Sequence, residues 1–176
     1  MNFQIKLLHP LAAMPVRGST MAAGYDIVAC IDAPVILRRY DKATFIPTGI
    51  AIFMGRGDVA AIILPRSGLG HKQGLVLGNT LGLVDGDYQN QWFVSAWNRG
   101  QQDEIVINPG DRIAQVVFVP VIHPHLVEMS EFSEETERGT GGFGSTGVGS
   151  SMGMGERCRG AVFQLQLSEL GEVGLM

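Results

Sequence analysis

The chain is poor in cysteine and in positive charge. Its 176 residues contain two cysteines, Cys30 and Cys158, and 13 lysines and arginines against 17 acidic residues, for a net charge of −4. Two cysteines without CxxC spacing do not indicate a disulfide framework or a zinc site. Cys30 lies in an apolar run and is interpreted as a small buried residue. The negative balance argues against a general nucleic-acid surface, which needs clustered lysine and arginine.

Long apolar runs are also missing. No stretch approaches the length that crosses a bilayer, and the first residues lack the charged-then-apolar layout of a signal peptide. We therefore expect a cytoplasmic protein with no membrane partner. The four histidines show no metal-ligand spacing, and His123-Pro124-His125 is interpreted as a solvated turn.

What the chain does have is many short apolar runs separated by turn residues. Residues 59–64 form a run closed by Pro65, and residues 92–97 alternate between two faces. A strong turn signal at 108–111 precedes the nearly continuous apolar run of 113–122. This pattern predicts an all-β sandwich or barrel-like fold. Because run 113–122 is apolar on both faces, we expect it to be buried on both sides, one route being a symmetric oligomer.

The composition changes after Val127. Residues 128–138 are acidic, and residues 139–155 are rich in glycine and serine. Such a composition cannot form a core alone and is typical of a flexible arm. Residues 163–170 fit either a late strand or one face of a helix, and the sequence leaves both open.

Asp85 lies in a Val-Asp-Gly-Asp-Tyr segment between two apolar runs. Asp-Gly in that setting predicts a tight hairpin with no chemistry required. The same position suits a general base, and Asp87 makes paired-carboxylate chemistry conceivable, although a solvated turn explains both.

Two other segments suit phosphate. Arg66-Ser67-Gly68 follows a proline that ends a strand, so that backbone N–H groups, a guanidinium and a hydroxyl could hold an anion, unless it is an ordinary polar loop. Residues 138–147 match G-x-G-x-x-G, but an acidic segment precedes them and no helix pattern follows. They also lack the lysine of a P-loop. The segment still has a glycine-rich backbone that could close around phosphates and a single aromatic residue, Phe143. The alternative is that it is a plain linker.

Taken together, these segments closely resemble the trimeric dUTP diphosphatases (dUTPases), whose five motifs occur here in order. They are Ala23-Gly24-Tyr25-Asp26-Ile27, Pro65-Arg66-Ser67-Gly68-Leu69-Gly70, Gly82-Leu83-Val84-Asp85-Gly86-Asp87-Tyr88, Pro109-Gly110-Asp111-Arg112-Ile113-Ala114-Gln115 and Arg138 to Gly147. His71-Lys72-Gln73-Gly74 and Trp97-Asn98-Arg99-Gly100 look most like the bacterial branch. The resemblance implies a distorted jelly-roll (β-clip) domain, a homotrimer with shared sites, and hydrolysis of dUTP to dUMP and diphosphate.

The resemblance also implies roles by position. Asp85 would activate the water that attacks the α-phosphate. Uracil and deoxyribose would be bound by Asn79, Leu83, Val84, Asp85, Tyr88 and Phe93. The phosphates would be bound by Arg66, Ser67, Gly68 and Gln115. From a neighbouring subunit, the arm would add Arg138, Phe143, Gly144, Ser145 and Thr146. Mg²⁺ would bind to the triphosphate, and Asp26 would contact it through water. A structural role in a turn would explain the Asp26 carboxylate equally well.

The implied organisation is a β domain over 1–137, a closing arm over 138–147, and a tail over 148–176 without counterpart in the family. Gly86 stands where the family often has serine, which a backbone role should tolerate.

Two other functions stay open. The dCTP deaminase class shares the fold, and a nucleotide-sensing regulator would use the tail to bind a partner.

Overall fold

The computed structural model describes residues 1–141, which fold almost entirely into β-strands. The strands are β1 (Gln4–Leu7), β2 (Val16–Arg17), β3 (Tyr25–Val28), β4 (Val35–Arg38), β5 (Thr44–Pro47), β6 (Ile50–Phe53), β7 (Val59–Pro65), β8 (Leu75–Leu77), β9 (Gly82–Val84), β10 (Phe93–Asn98), β11 (Glu104–Ile107) and β12 (Arg112–Pro120). One helix, α1 (Ser67–Lys72), lies between β7 and β8. The all-β prediction is confirmed.

The strands form four antiparallel sheets. The largest has the order β2-β3-β12-β7-β9, and the others are β5-β10-β8, β11-β4 and β1-β6. Strand β12 runs through the centre of the largest sheet, between β3 and β7. Residues 113–119, most of the apolar run 113–122, are buried or half-buried, as expected for a strand that is apolar on both faces.

Alternating side chains fill the space between the sheets. Val94 and Ala96 of β10 are buried, as the alternation of residues 92–97 predicts, and Trp92 just before the strand is only 2% exposed. Isoleucines and valines from β3, β5, β6, β11 and β12 complete this core. β-Branched residues suit such a core because their stiff side chains pack well on a pleated surface.

Buried polar groups are held by the backbone. Asn98 is 2% exposed, and its side chain donates to the carbonyls of Leu37 and Gln102 at 3.1 and 3.0 Å and accepts from the amide of Gly100. Within the bacterial-type segment 97–100, Asn98 therefore has a structural role. Its buried side-chain amide would destabilise the fold if it had no hydrogen-bond partners.

Cys30 is buried, as the sequence predicts, and Cys158 lies outside the described residues. Burial, with a smaller contribution from the charge of Asp32, raises the pKa of the Cys30 thiol. A raised pKa keeps the sulfur in its inert thiol form.

One local prediction is wrong. Asp85 does not lie in a hairpin between paired strands, because β9 pairs with β7 while β10 pairs with β5 and β8. Residues 85–88 form a tight turn that leads from one sheet to another. After Arg66, residues 67–72 form the short helix α1, so the alternative of an ordinary polar loop does not hold.

The chain divides into a unit spanning residues 1–126 and a second unit from Val127 onward. Of the second unit, residues 127–141 are described, and they contain no strand or helix. No helix among residues 1–141 has the length and apolarity needed to cross a membrane.

Candidate active site

A pocket beside β9 brings together the six residues that the sequence assigns to the nucleoside. Its lining includes Asn79, Leu83, Val84, Asp85, Tyr88 and Phe93. They come from the β8–β9 loop, from β9 and the turn after it, and from the start of β10. The pocket combines apolar walls with a few polar groups, as small-molecule sites usually do.

The turn after β9 presents Asp85 at the mouth of this pocket. The amide of Tyr88 donates to the Asp85 carbonyl at 3.2 Å, which closes the four-residue turn. Asp85 and Asp87 are exposed while Gly86 between them is buried. A carboxylate in this position can reach both solvent water and a ligand in the pocket.

The ring of Tyr88 is held at one edge of the pocket. Its hydroxyl donates to the carbonyl of Gln91 at 3.3 Å, and 42% of the residue remains exposed. The ring face is therefore available for stacking against a flat or cyclic group.

Asn79 stands next to a strained residue. Thr80 has φ of 65°, and the amide of Leu81 donates to the Asn79 carbonyl at 2.7 Å. A β-branched residue rarely adopts positive φ, and such strain is often retained where it fixes the direction of a functional neighbour.

Residues that the sequence did not assign complete the pocket wall. Phe45 of β5 is 73% exposed and meets Phe93 edge-to-face, with ring centroids 6.3 Å apart. Trp92 also lines the pocket, and its indole N–H has no hydrogen-bond partner among residues 1–141. Phe45 is 34 or more residues from every other residue of the pocket except Ile63, so only the β5–β10 pairing reveals it.

A second cluster lies at the other end of β7. The Arg66 Nε donates to one carboxylate oxygen of Asp26 at 2.8 Å, and the Arg112 guanidinium donates to the other at 3.2 Å. Arg66 also donates to the Arg112 carbonyl at 3.4 Å. The Asp26 side chain is only 14% exposed, whereas that of Arg112 is 56% exposed. One partly buried carboxylate thus fixes two guanidiniums and leaves the cluster a net positive charge.

Gln115 lies beside this cluster. It is paired with Asp26 in the β12–β3 register, and its Nε2 donates to the Pro65 carbonyl at 3.0 Å. Ser67 and Gly68 are exposed at the start of α1, and a Cβ on Gly68 would meet open space. The structure therefore groups the predicted phosphate residues, and it adds Arg112, which the fourth motif contained but which had been given no role.

The two clusters are far apart within one chain. Val84 pairs with Ala61, so Asp85 follows at the level of Ala60, whereas Arg66 comes directly after the other end of β7. Six residues of strand separate the two levels by about 20 Å. Three linked phosphoryl groups fall well short of that length. Because Asp85 and Arg66 leave opposite ends of β7, this separation argues against a site in which both contact the same triphosphate within one chain.

Arg138 closes a small turn in the second unit. Its Nε donates to the Gly141 carbonyl at 3.0 Å, and the Gly141 amide donates back to the Arg138 carbonyl at 2.9 Å. Phe143, Gly144, Ser145 and Thr146 lie outside the described residues.

Comparison with known proteins agrees with these motifs. The dUTPase family model matches residues 11–147. Deoxyuridine 5'-triphosphate nucleotidohydrolase from Burkholderia ambifaria is 54% identical over 134 residues, covering 76% of this chain and 88% of the relative. The protein of the same name from Coxiella burnetii is 52% identical over 134 residues, with 76% and 86% covered.

Solved structures show the same fold. The dUTPase of Staphylococcus bacteriophage 80alpha, determined with dUPNHPP, matches with a TM-score of 0.76 and 30% identity, covering 84% of this chain and 99% of that one. A dUTPase mutant from phage phi11, whose structure revealed how a structural Mg(II) ion is coordinated, matches with a TM-score of 0.67 and 27% identity, covering 75% and 99%. With the family model spanning most of its length and relatives above half identity, this chain belongs to the dUTPase family.

Proposed function

We propose that this protein hydrolyses dUTP to dUMP and diphosphate, in the cytoplasm, and so keeps uracil out of DNA. The observation that carries the proposal is the exposed Asp85 carboxylate at the mouth of a pocket that also holds Asn79 and Tyr88. The B. ambifaria relative is named for this activity.

Selection of the base falls to the backbone and to Asn79. Uracil presents an amide face, which the side-chain amide of Asn79 and the polar backbone groups of residues 83–85 can complement. The walls formed by Leu83, Val84 and Phe93 bring apolar groups close to the base edge. A C5 methyl group would have to displace them, which disfavours thymine.

Selection of the sugar falls to Tyr88. A ring held at one edge through its hydroxyl is a fixed platform on which a deoxyribose can lie. A 2′-hydroxyl on that side would lose its hydration against an apolar face without gaining a partner, which disfavours ribonucleotides.

The phosphates belong to the second cluster. Arg66, Ser67, Gly68 and Gln115 supply a guanidinium, a hydroxyl, an open backbone position and an amide. Asp26 holds Arg66 in place by pairing with it, and Arg112 adds a second cation to the same region. A guanidinium fixed by a carboxylate loses less freedom when it binds a phosphate.

The chemical step needs one base. Asp85 takes a proton from a water molecule as the water oxygen forms a bond to the α-phosphorus. The bond from that phosphorus to the bridging oxygen breaks, and diphosphate leaves with the electron pair. The proton on Asp85 then passes to solvent, to which this exposed carboxylate has access.

Mg²⁺ fits this site through the substrate. Among residues 1–141, no group of three or more histidine, cysteine or acidic side chains could hold a metal. Both carboxylate oxygens of Asp26 already accept from arginines, which leaves them able to accept from a metal-bound water but poorly placed as direct ligands. Mg²⁺ commonly keeps several waters and binds nucleotide phosphates. When bound, it would neutralise phosphate charge that two arginines cannot.

The separation of the two clusters supports a homotrimer with shared sites. If Asp85 and Arg66 of one chain cannot reach one triphosphate, a complete site takes Asp85 and the residues of its pocket from one copy and its phosphate residues from another. A closed ring of such head-to-tail contacts gives every copy both halves of a site. The half-buried outer end of β12, residues 117–119, is then available for contact between copies.

Within this proposal, residues 1–137 form the body, residues 138–147 close over the bound nucleotide from a neighbouring copy, and residues 148–176 have no assigned role. Phe143 would stack on uracil, Arg138 would bind phosphate, and Gly144, Ser145 and Thr146 would donate to it.

Truncation before Arg138 should leave the trimer intact and remove activity. Within residues 1–141 the last strand ends at Pro120, so the truncation removes no strand or core residue that the structure describes. Size-exclusion chromatography with light scattering, combined with the dUTP assay, checks both halves of the prediction. A monomeric truncated protein would contradict the peripheral role of the arm, and full activity would contradict its catalytic role.

The direct test of the function is diphosphate release from dUTP, with dTTP, dCTP and UTP alongside, with and without Mg²⁺. We expect hydrolysis that is selective for dUTP and stimulated by Mg²⁺. Ammonia release from dCTP would instead favour the deaminase class. Binding of dUTP without turnover would favour a sensing protein.

A further inference from the structure

Gly86 is packed against a neighbouring loop at backbone distance. A Cβ at this position would overlap the carbonyl oxygen of Arg56 and lie 3.2 Å from the carbonyl oxygen of Val59. Both are backbone atoms, which cannot swing aside as the end of a side chain can. The Gly86 carbonyl also accepts from the amide of Gly55 at 2.9 Å. The turn that carries Asp85 is therefore in close backbone contact with the loop of residues 55–58, which joins β6 to β7.

This loop is itself held from two directions. Within it, both Nε and an Nη of Arg56 donate to the carboxylate of Asp58. These bonds lower the pKa of Asp58, so the pair stays charged. From the end of β12, the Val121 amide donates to the Asp58 carbonyl at 3.0 Å, and the His123 ring donates to the Gly57 carbonyl at 2.6 Å. A short loop with this many anchors is a firm surface for the turn to rest on.

The carboxylate of Asp85 has no such support of its own. None of the side chains in residues 1–141 donates a hydrogen bond to it, and the bond to Tyr88 involves the Asp85 backbone carbonyl. Its direction is consequently set by the backbone of the turn. Whatever fixes residues 85–88 fixes the base.

We infer that the loop of residues 55–58 is a positioning element for Asp85, and that it acts through the backbone contact at Gly86. The inference rests on the proposed dUTP hydrolysis for its kinetic consequence, although the contact itself does not depend on it. Because no Cβ fits at residue 86 here, glycine is required by this loop conformation. Relatives with serine at this position need a facing loop that lies further away.

Gly86→Ala should lower kcat for dUTP by about 100-fold, the loss that a displacement near 1 Å can cause in a catalytic group. KM for dUTP and the affinity for dUMP should change much less than kcat, because Asn79, Leu83 and Val84 precede the turn and only Tyr88 and the Asp85 backbone lie within it. Steady-state kinetics and calorimetric titration with dUMP separate these effects. The matched control is Gly18→Ala, where a Cβ meets nothing within 4 Å and kcat should be unchanged.

A second variant approaches the contact from the loop. Asp58→Ala removes the Arg56–Asp58 pair on the surface and should lower kcat, by less than Gly86→Ala, again with little change in KM. Its control is Glu104→Ala, which breaks the comparably exposed Arg38–Glu104 pair between β11 and β4 and should leave kcat unchanged. If Gly86→Ala fails to fold, this comparison decides the matter.

A readout besides activity keeps the inference separate from the proposed function. The Tyr88 amide, which closes the turn, should exchange with deuterium faster in Gly86→Ala than in Gly18→Ala. An inactive wild-type protein with this difference in exchange would sink the proposed function and leave the positioning contact standing. Unchanged exchange at Tyr88, or a folded Gly86→Ala with wild-type kcat, would overturn the inference.

Discussion

Asp85→Asn should lower kcat for dUTP by about 10²–10⁴, the usual contribution of a general base. Asparagine has nearly the same shape, and the turn is closed by the backbone carbonyl of residue 85, which the substitution keeps. The amide cannot take a proton from water at neutral pH. Binding of dUTP should persist, since the remaining pocket residues are untouched. Steady-state turnover and titration with a non-hydrolysable dUTP analogue measure the two quantities separately.

Asp87→Asn is the matched control. Asp87 lies in the same turn, is equally exposed, and is the second carboxylate of the segment. If Asp85 works alone, the control keeps its kcat. Equal losses in both variants would instead indicate paired-carboxylate chemistry, and an Asp85→Asn protein with wild-type turnover would refute the base assignment.

Mixed trimers of Asp85→Asn and Arg66→Ala subunits should regain activity although neither variant alone has it. A complete site needs Asp85 from an Arg66→Ala subunit and Arg66 from an Asp85→Asn subunit. In a closed ring of three, every mixed trimer has one complete site out of three, so about a third of its sites receive both. A site contained in one chain would regain nothing. Co-expression with two affinity tags, followed by the diphosphate assay, measures the recovery.

The control is a mixture of the two variants purified as separate trimers and combined without subunit exchange, which should stay inactive. Mixed trimers confirmed by both tags yet without activity would contradict shared sites. The contrast between about a third and nothing does not depend on kinetic detail.

Much of the fold could be predicted because its signals are local. Run 59–64 ended by Pro65 predicted β7, and the turn at 108–111 separated β11 from β12. The pairing of the strands could not be predicted in this way. Asp85-Gly86 carries a hairpin signal, yet β9 pairs with β7, since the partner of a strand depends on the whole sheet and not on the adjacent turn. Helix α1 is six residues long with two glycines, too short for a 3.6-residue period to show.

The candidate site was likewise predictable only where its signals are local in the sequence. Motif positions could be listed in order from the sequence, but the pairing of Asp26 with both Arg66 and Arg112 joins residues 40 and 86 positions apart. It depends on β3 and β7 lying on either side of β12. Phe45 enters the pocket wall only through the β5–β10 register. The contact between Gly86 and Arg56 likewise requires the loop before β7 to meet the turn after β9.

The length of β7 has a consequence for how activity depends on protein concentration. In the proposed trimer with shared sites, Asp85 and Arg66 stand at opposite ends of this strand, so a single folded subunit would hold two half-sites and no whole one. Specific activity should therefore fall on dilution once trimers dissociate, and should recover on concentration. On this proposal, a newly made chain would gain activity only after meeting its partners, and assembly itself would control when hydrolysis begins.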